Sequence, residues 1–110
     1  MPAIVEDREP QLDQGPVLVT AQYRVEERNA KAFLQAMHKY GRLRRRDGAF
    51  RWAIYRDVEK PDVYVETFLV SSWAEHLRQH DRLTRGDGAL EQRILSLGGE
   101  PLVRHLIDAE

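Results

Sequence analysis

The sequence predicts one α+β domain in which four antiparallel strands alternate with helical segments in the order βαββαβ. Three observations carry that prediction. Four short stretches place apolar residues at every second position, the period of a strand. Between the first and second of these, and again between the third and fourth, apolar residues recur at helical spacing. Gly, Pro and Asp punctuate the joins.

The first strand spans Val17 to Val25, with Val17, Val19, Ala21, Tyr23 and Val25 alternating against Leu18, Thr20, Gln22 and Arg24. Glu27 to Arg46 is the first helix. Ala30, Phe33, Leu34, Met37 and Tyr40 form its apolar stripe, Glu26 and Glu27 precede it, and Arg42, Arg44, Arg45 and Arg46 close it. Acids before and cations after match the helix dipole, so the arginine run reads as a solvated helix end. Asp47-Gly48 stops the helix. Strands at Phe50 to Asp57 and Val63 to Val70 follow, joined by the turn Glu59-Lys60-Pro61-Asp62. Ser72-Trp73-Ala74-Glu75 is a capping box opening a helix to about Arg85. Gly86-Asp87-Gly88 breaks it, Asp87 offers a cap for a short helix through Leu97, and Leu102 to Ile107 is the last strand. Residues 1–15 are acidic, with prolines at Pro2 and Pro10, and Pro16 follows. They read as a flexible tail or linker, leaving 16–110 as the domain.

This order is the ferredoxin-like plan, with helices on one face of a four-stranded antiparallel sheet. Its strand faces add a clue. Trp52 and Ile54 oppose Ala53 and Tyr55, while Val63, Val65 and Leu69 oppose Tyr64, Phe68 and Val70. A sheet with one wet face would alternate apolar with polar. Both faces here are substantially apolar, and helices cover only one. A second copy about a two-fold axis is the simplest cover for the other, giving a dimeric α/β barrel.

Composition narrows the function. The net charge of −1 supplies no global field for nucleic acid, so no nucleic-acid partner is expected. Cysteine is absent, which removes disulfides, thiolate metal sites and cysteine nucleophiles. No stretch approaches the roughly 18 apolar residues of a membrane span. The first residues lack a basic start followed by an apolar run, so the domain is expected to be cytoplasmic.

The candidate ligand-pocket residues are Trp52, Tyr55, Glu66, Trp73, His76, His80 and His105. Trp52, Tyr55 and Trp73, with Tyr64 and Phe68, supply flat apolar surface that serves a core, a dimer or a pocket for a planar ligand. His76 and His80 are four apart and share a helix face. Zinc at that pair would need a third ligand such as His105 or Glu75. The zincin pattern is broken because Leu77 follows His76, and no metal is assigned. Glu66 lies mid-strand among apolar neighbours and needs a cation, with Arg24, Arg56 or Arg104 in reach from adjoining strands. No catalytic residue is assigned.

The segments Gly15 to Val25, Arg44 to Asp57, Tyr64 to Thr84 and Val103 to Ile107 resemble the cytosolic C-terminal domain of major facilitator exporters of the enterobactin-exporter type, the transmembrane secretion effectors. That domain is similar to the antibiotic-biosynthesis-monooxygenase superfamily of dimeric α/β barrels. Leu77 and His80 match a Leu-x-x-His step of that superfamily. Its usual preceding tryptophan would fall near Ser71, whereas here it is Trp73. The resemblance implies a non-catalytic, dimerising, small-molecule-binding or regulatory domain related to efflux transporters. Its partners would be a second copy, a small aromatic ligand and a membrane transporter domain, with no cofactor. The alternatives are a cofactor-independent monooxygenase acting on an aromatic phenol or quinol, and a haem-binding dimeric barrel with His76 or His80 as axial ligand. An excised transporter domain and a free-standing relative both fit.

Overall fold

A computed structural model of the chain describes residues 9–86 and 88–110, without the side chains of 82–86. Its elements are β1 (Val17–Arg24), a 3-10 turn (Glu27–Asn29), α1 (Ala30–Arg46), β2 (Phe50–Arg56), β3 (Val63–Val70), α2 (Trp73–Gly86), α3 (Gly88–Gly98) and β4 (Leu102–Ile107). The strands form one antiparallel sheet in the order β2-β3-β1-β4. This is the ferredoxin-like arrangement. The expected cap at Asp87, and residues 1–8 of the expected tail, lie outside the described residues.

One face of the sheet packs on the helices. Ala21, Tyr23 and Tyr64 meet Phe33, Ala36, Met37 and Tyr40 of α1 and Ile94 of α3. Nearer the start of β1, Val17, Val19, Phe68 and Val70 enclose Ala49, with Trp52 and Trp73 against them. The period-two stripe of β1 and the helical stripe of α1 therefore bury against each other, as amphipathic elements must.

Three features depart from the sequence expectation. First, the arginine run is not wholly a solvated helix end. Arg44 stands one turn beyond Tyr40 on the buried stripe, its guanidinium over the rings of Tyr40 at 4.4 Å and Phe68 at 4.3 Å. It pairs with Glu66, in place of the expected Arg24, Arg56 or Arg104. Arg24 instead lies exposed near Asp62, while Arg104 shares the opposite sheet face with its register partner Thr20. Side-chain parity removes Arg24 and Arg104, because Glu66 points to the helix side; Arg56 shares that side but lies exposed at the end of β2, opposite Tyr64.

Second, β2 carries a bulge between Phe50 and Ala53, where Arg51 takes a φ of 54°. Plain alternation would put Phe50 on the face of Trp52. The extra residue places Phe50 opposite Leu69, on the face away from the helices.

Third, the segment expected to be free through residue 15 is tied down before it enters β1. The Trp73 amide donates to the Gln14 carbonyl at 2.8 Å, and the Ala74 amide donates to the Leu12 carbonyl at 2.9 Å. These are two of the amides that a helix N-terminus leaves without intrahelical partners. The Ser72 hydroxyl accepts from the Glu75 amide at 3.1 Å, the serine half of the expected capping box.

Candidate functional site

The described helix-side surface holds a cavity of about 490 Å³ between β1 and β4 on the sheet and α2 and α3 above it. Its position follows from the topology. β1 is central, but β4 is an edge strand, and all six of its residues are exposed. α1 and α3 cover the middle of the sheet, so a hollow remains over the β1–β4 side.

Helical spacing sets one wall. Trp73, His76, Leu77 and His80 sit at i, i+3, i+4 and i+7 of α2 and all line the cavity. The opposing wall is Val19, Ala21 and Tyr23 of β1 with Val103 and His105 of β4. His105 is the register partner of Val19, which puts it on the helix side. Three rings then meet. The centroids of His76 and His105 are 4.5 Å apart, Trp73 and His76 5.1 Å, and Trp73 and His105 5.4 Å. α2 is held over this wall by Gln79, whose side-chain amide donates to the Asp47 carbonyl at 2.7 Å.

The cavity's electrostatics are unusual for a histidine cluster. Burial, followed by the neighbouring His105 and His80, lowers the His76 pKa to about 4. Burial and His80 lower that of His105 as well. Both imidazoles are therefore neutral acceptors at neutral pH. Arg44 reaches the cavity too, but its charge is committed. Its Nε and Nη2 donate to the two Glu66 oxygens at 2.5 and 3.1 Å, and the Trp52 indole N–H donates to the same carboxylate at 2.8 Å. Burial disfavours the charged guanidinium, and the attraction of Glu66 more than restores it, leaving the Arg44 pKa raised.

Of the predicted residues, Trp73, His76, His80 and His105 converge on the cavity. Glu66 is fully buried behind Arg44. Trp52 lies beyond it under α1, where Gly41 makes room: a Cβ there would come within 2.5 Å of the indole. Tyr55 is a correction. It is 61% exposed on the opposite face of the sheet, because residues 52 and 55 have opposite strand parity. Sequence reasoning missed Arg44, Glu91 and Glu100 as lining residues. Arg44 was within reach, since positions 33, 37, 40 and 44 continue one helical stripe. Glu91 and Glu100 carried no local signal, because Glu91 comes in only with α3 and Glu100 only with the loop that joins α3 to β4. Among the described residues no three His, Cys, Asp or Glu side chains form a metal-holding group.

Fold and cavity together define a ferredoxin-like α+β domain with a pocket between sheet and helices. A profile of the transmembrane secretion effector family matches residues 2–110, and the chain belongs to that family. No curated protein sequence matches it significantly. Among solved structures it is similar to SnoaB, a cofactor-independent oxygenase from Streptomyces nogalater, at 15% identity and TM-score 0.73, over 86% of this chain and 93% of that one. A proposed antibiotic biosynthesis monooxygenase from Caulobacter crescentus is 18% identical, with TM-score 0.69, over 90% and 94% of the two chains. A dimeric ferredoxin-like protein from an uncultured marine organism is 14% identical, with TM-score 0.70, over 89% and 91%. At such identities the likeness is one of fold. Among the described residues no helix is long and apolar enough to cross a membrane.

Proposed function

We propose that this domain is a non-catalytic, dimerising small-molecule-binding module related to efflux transporters, and that the cavity takes a flat aromatic ligand. The meeting of Trp73, His76 and His105 in a hollow of about 490 Å³ carries this reading. Planar rings match planar walls, and a neutral imidazole accepts a hydrogen bond from a phenolic hydroxyl. The family supports the link to transport, with the domain on the cytoplasmic side as the module that meets the transporter.

The same imidazole argues for binding without turnover. Cofactor-independent oxygenation requires the substrate to lose a proton to the protein. His76, held at about 4, is badly matched as a base to a phenol or quinol, whose own pKa lies near that of tyrosine, about 10. The fold shared with SnoaB keeps oxygenation as the competing reading.

The test is to titrate aromatic natural products against intrinsic tryptophan fluorescence, in wild type and in His76→Ala. Saturable quenching that weakens by about tenfold in the variant is expected. No saturable quenching by any compound would overturn the pocket. Oxygen uptake with quinols would make the protein an oxygenase, and a Soret band in the purified protein would make it a haem binder.

A further inference from the structure

The charge balance of the cavity selects among aromatic ligands. Arg44 is the cation among its described lining side chains, and it is unavailable to a bound anion. Two of its nitrogens are bonded to the Glu66 carboxylate, and its guanidinium is stacked against Tyr40 and Phe68. Two further carboxylates line the cavity, Glu91 on α3 and Glu100 on the loop before β4. Neither forms an ion pair with a described residue. His76 and His105 do not offset them, since both are neutral at neutral pH. The Tyr23 hydroxyl, on the cavity wall, senses the same field. Its pKa is raised by burial first, then by Glu66, with Glu91 adding to the shift.

We propose that the cavity selects a planar aromatic cation, fused rings bearing a protonated nitrogen, with Glu91 and Glu100 as counter-charges and Trp73 as the stacking wall. The proposal rests on the binding function argued above and specifies its ligand class. An aromatic anion would meet two carboxylates that have no ion-pair partner among the described residues, and a guanidinium already satisfied. A neutral ring system would gain the stacking but make no use of either carboxylate. A cation gains both, and the face of an indole attracts positive charge in its own right.

Three fluorescent tricyclic probes of nearly one shape separate the possibilities: proflavine as the cation, acridone as the neutral ring system and acridine-9-carboxylate as the anion. Each is titrated with the 110-residue chain at pH 7.5 and low salt, reading the probe's own fluorescence anisotropy. Proflavine should bind at least about tenfold more tightly than acridone, with acridine-9-carboxylate weakest. In the Glu91→Gln/Glu100→Gln variant, its fold confirmed by circular dichroism, the preference of proflavine over acridone should collapse toward one. Acridone or acridine-9-carboxylate binding as well as proflavine in the wild type would overturn the charge selection and leave the aromatic pocket standing. A proflavine preference that persists in the double variant would place the cation away from Glu91 and Glu100 and also overturn it. Failure of all three probes to bind would overturn the pocket and the selection together.

Discussion

A carboxylate with no solvent exposure in the middle of a strand has to be matched by donors. Glu66 has three: the Arg44 Nε and Nη2 and the Trp52 indole. The arrangement ties three elements at one point, since Glu66 is on β3, Arg44 on α1 and Trp52 on β2. Glu66→Gln keeps the shape but turns one acceptor oxygen into a donor facing other donors. It also strands a guanidinium in a largely buried place. Breaking a buried pair in this way costs about 3 kcal/mol. Urea unfolding of Glu66→Gln is expected to show a loss of that order. The double variant Glu66→Leu/Arg44→Leu should recover part of it, because no uncompensated charge remains. A loss below about 0.5 kcal/mol in the single variant would mean that the pair contributes little to the fold.

At the scale of elements, a single glycine controls how the chain enters the domain. A Cβ on Gly15 would lie 2.3 Å from the Ser71 carbonyl oxygen and 2.8 Å from the Ser72 Cα. Gly15→Ala must therefore push this segment off the start of α2 and release the Trp73 and Ala74 amides from the Gln14 and Leu12 carbonyls. Thermal unfolding is expected to report a loss of about 1–3 kcal/mol, the range for two such hydrogen bonds. An unchanged midpoint would show that the contact adds nothing. This element was invisible in the sequence for a physical reason. Backbone carbonyls of an irregular polar segment bind amides without any residue signature, so composition read the segment as free.

The strands and helices themselves were legible, because the apolar period in each reports which face is buried. The α2 wall was legible for the same reason, since 73, 76 and 80 share a helical face. Parity also separated Tyr55 from Trp52, a consequence that the grouping of aromatic residues by type overlooked. Arg44 was concealed by its neighbours, because four arginines together look like a solvated end. The stripe through Phe33, Met37 and Tyr40 nonetheless selects one of them for burial. The bulge at Arg51 had no local marker, since neither glycine nor proline occupies it.

For the whole molecule, the sheet face away from the helices leaves large apolar side chains open in the single chain. Its cross-strand rows can be read from the register. Phe50, Leu69, Leu18 and Leu106 form one apolar row across all four strands. Ala53, Thr67, Thr20 and Arg104 form the next, and Tyr55, Val65, Gln22 and Leu102 the third. Phe50, Tyr55, Leu102 and Leu106 are 40%, 61%, 52% and 46% exposed in the single chain. An apolar row across four strands, with Tyr55, Val65 and Leu102 two rows away, marks an interaction surface, and the proposed dimer covers it with the same rows from a second copy. Sheet-to-sheet burial of this size would remove roughly 2,000 Å² from water in total. Light scattering at micromolar concentration is expected to give twice the subunit mass. Leu18→Glu tests the surface directly. The substitution places a carboxylate in the central strand of the apolar row, and two-fold symmetry places a second one on the partner's copy of that row. Desolvating both should raise the dimer dissociation constant by about 100-fold or more. Val58→Glu, in the β2–β3 turn at a side chain that is 93% exposed, should leave the mass at two subunits. A wild-type mass of one subunit would remove the dimer from the proposal. A Leu18→Glu protein that remains dimeric would move the interface to another face.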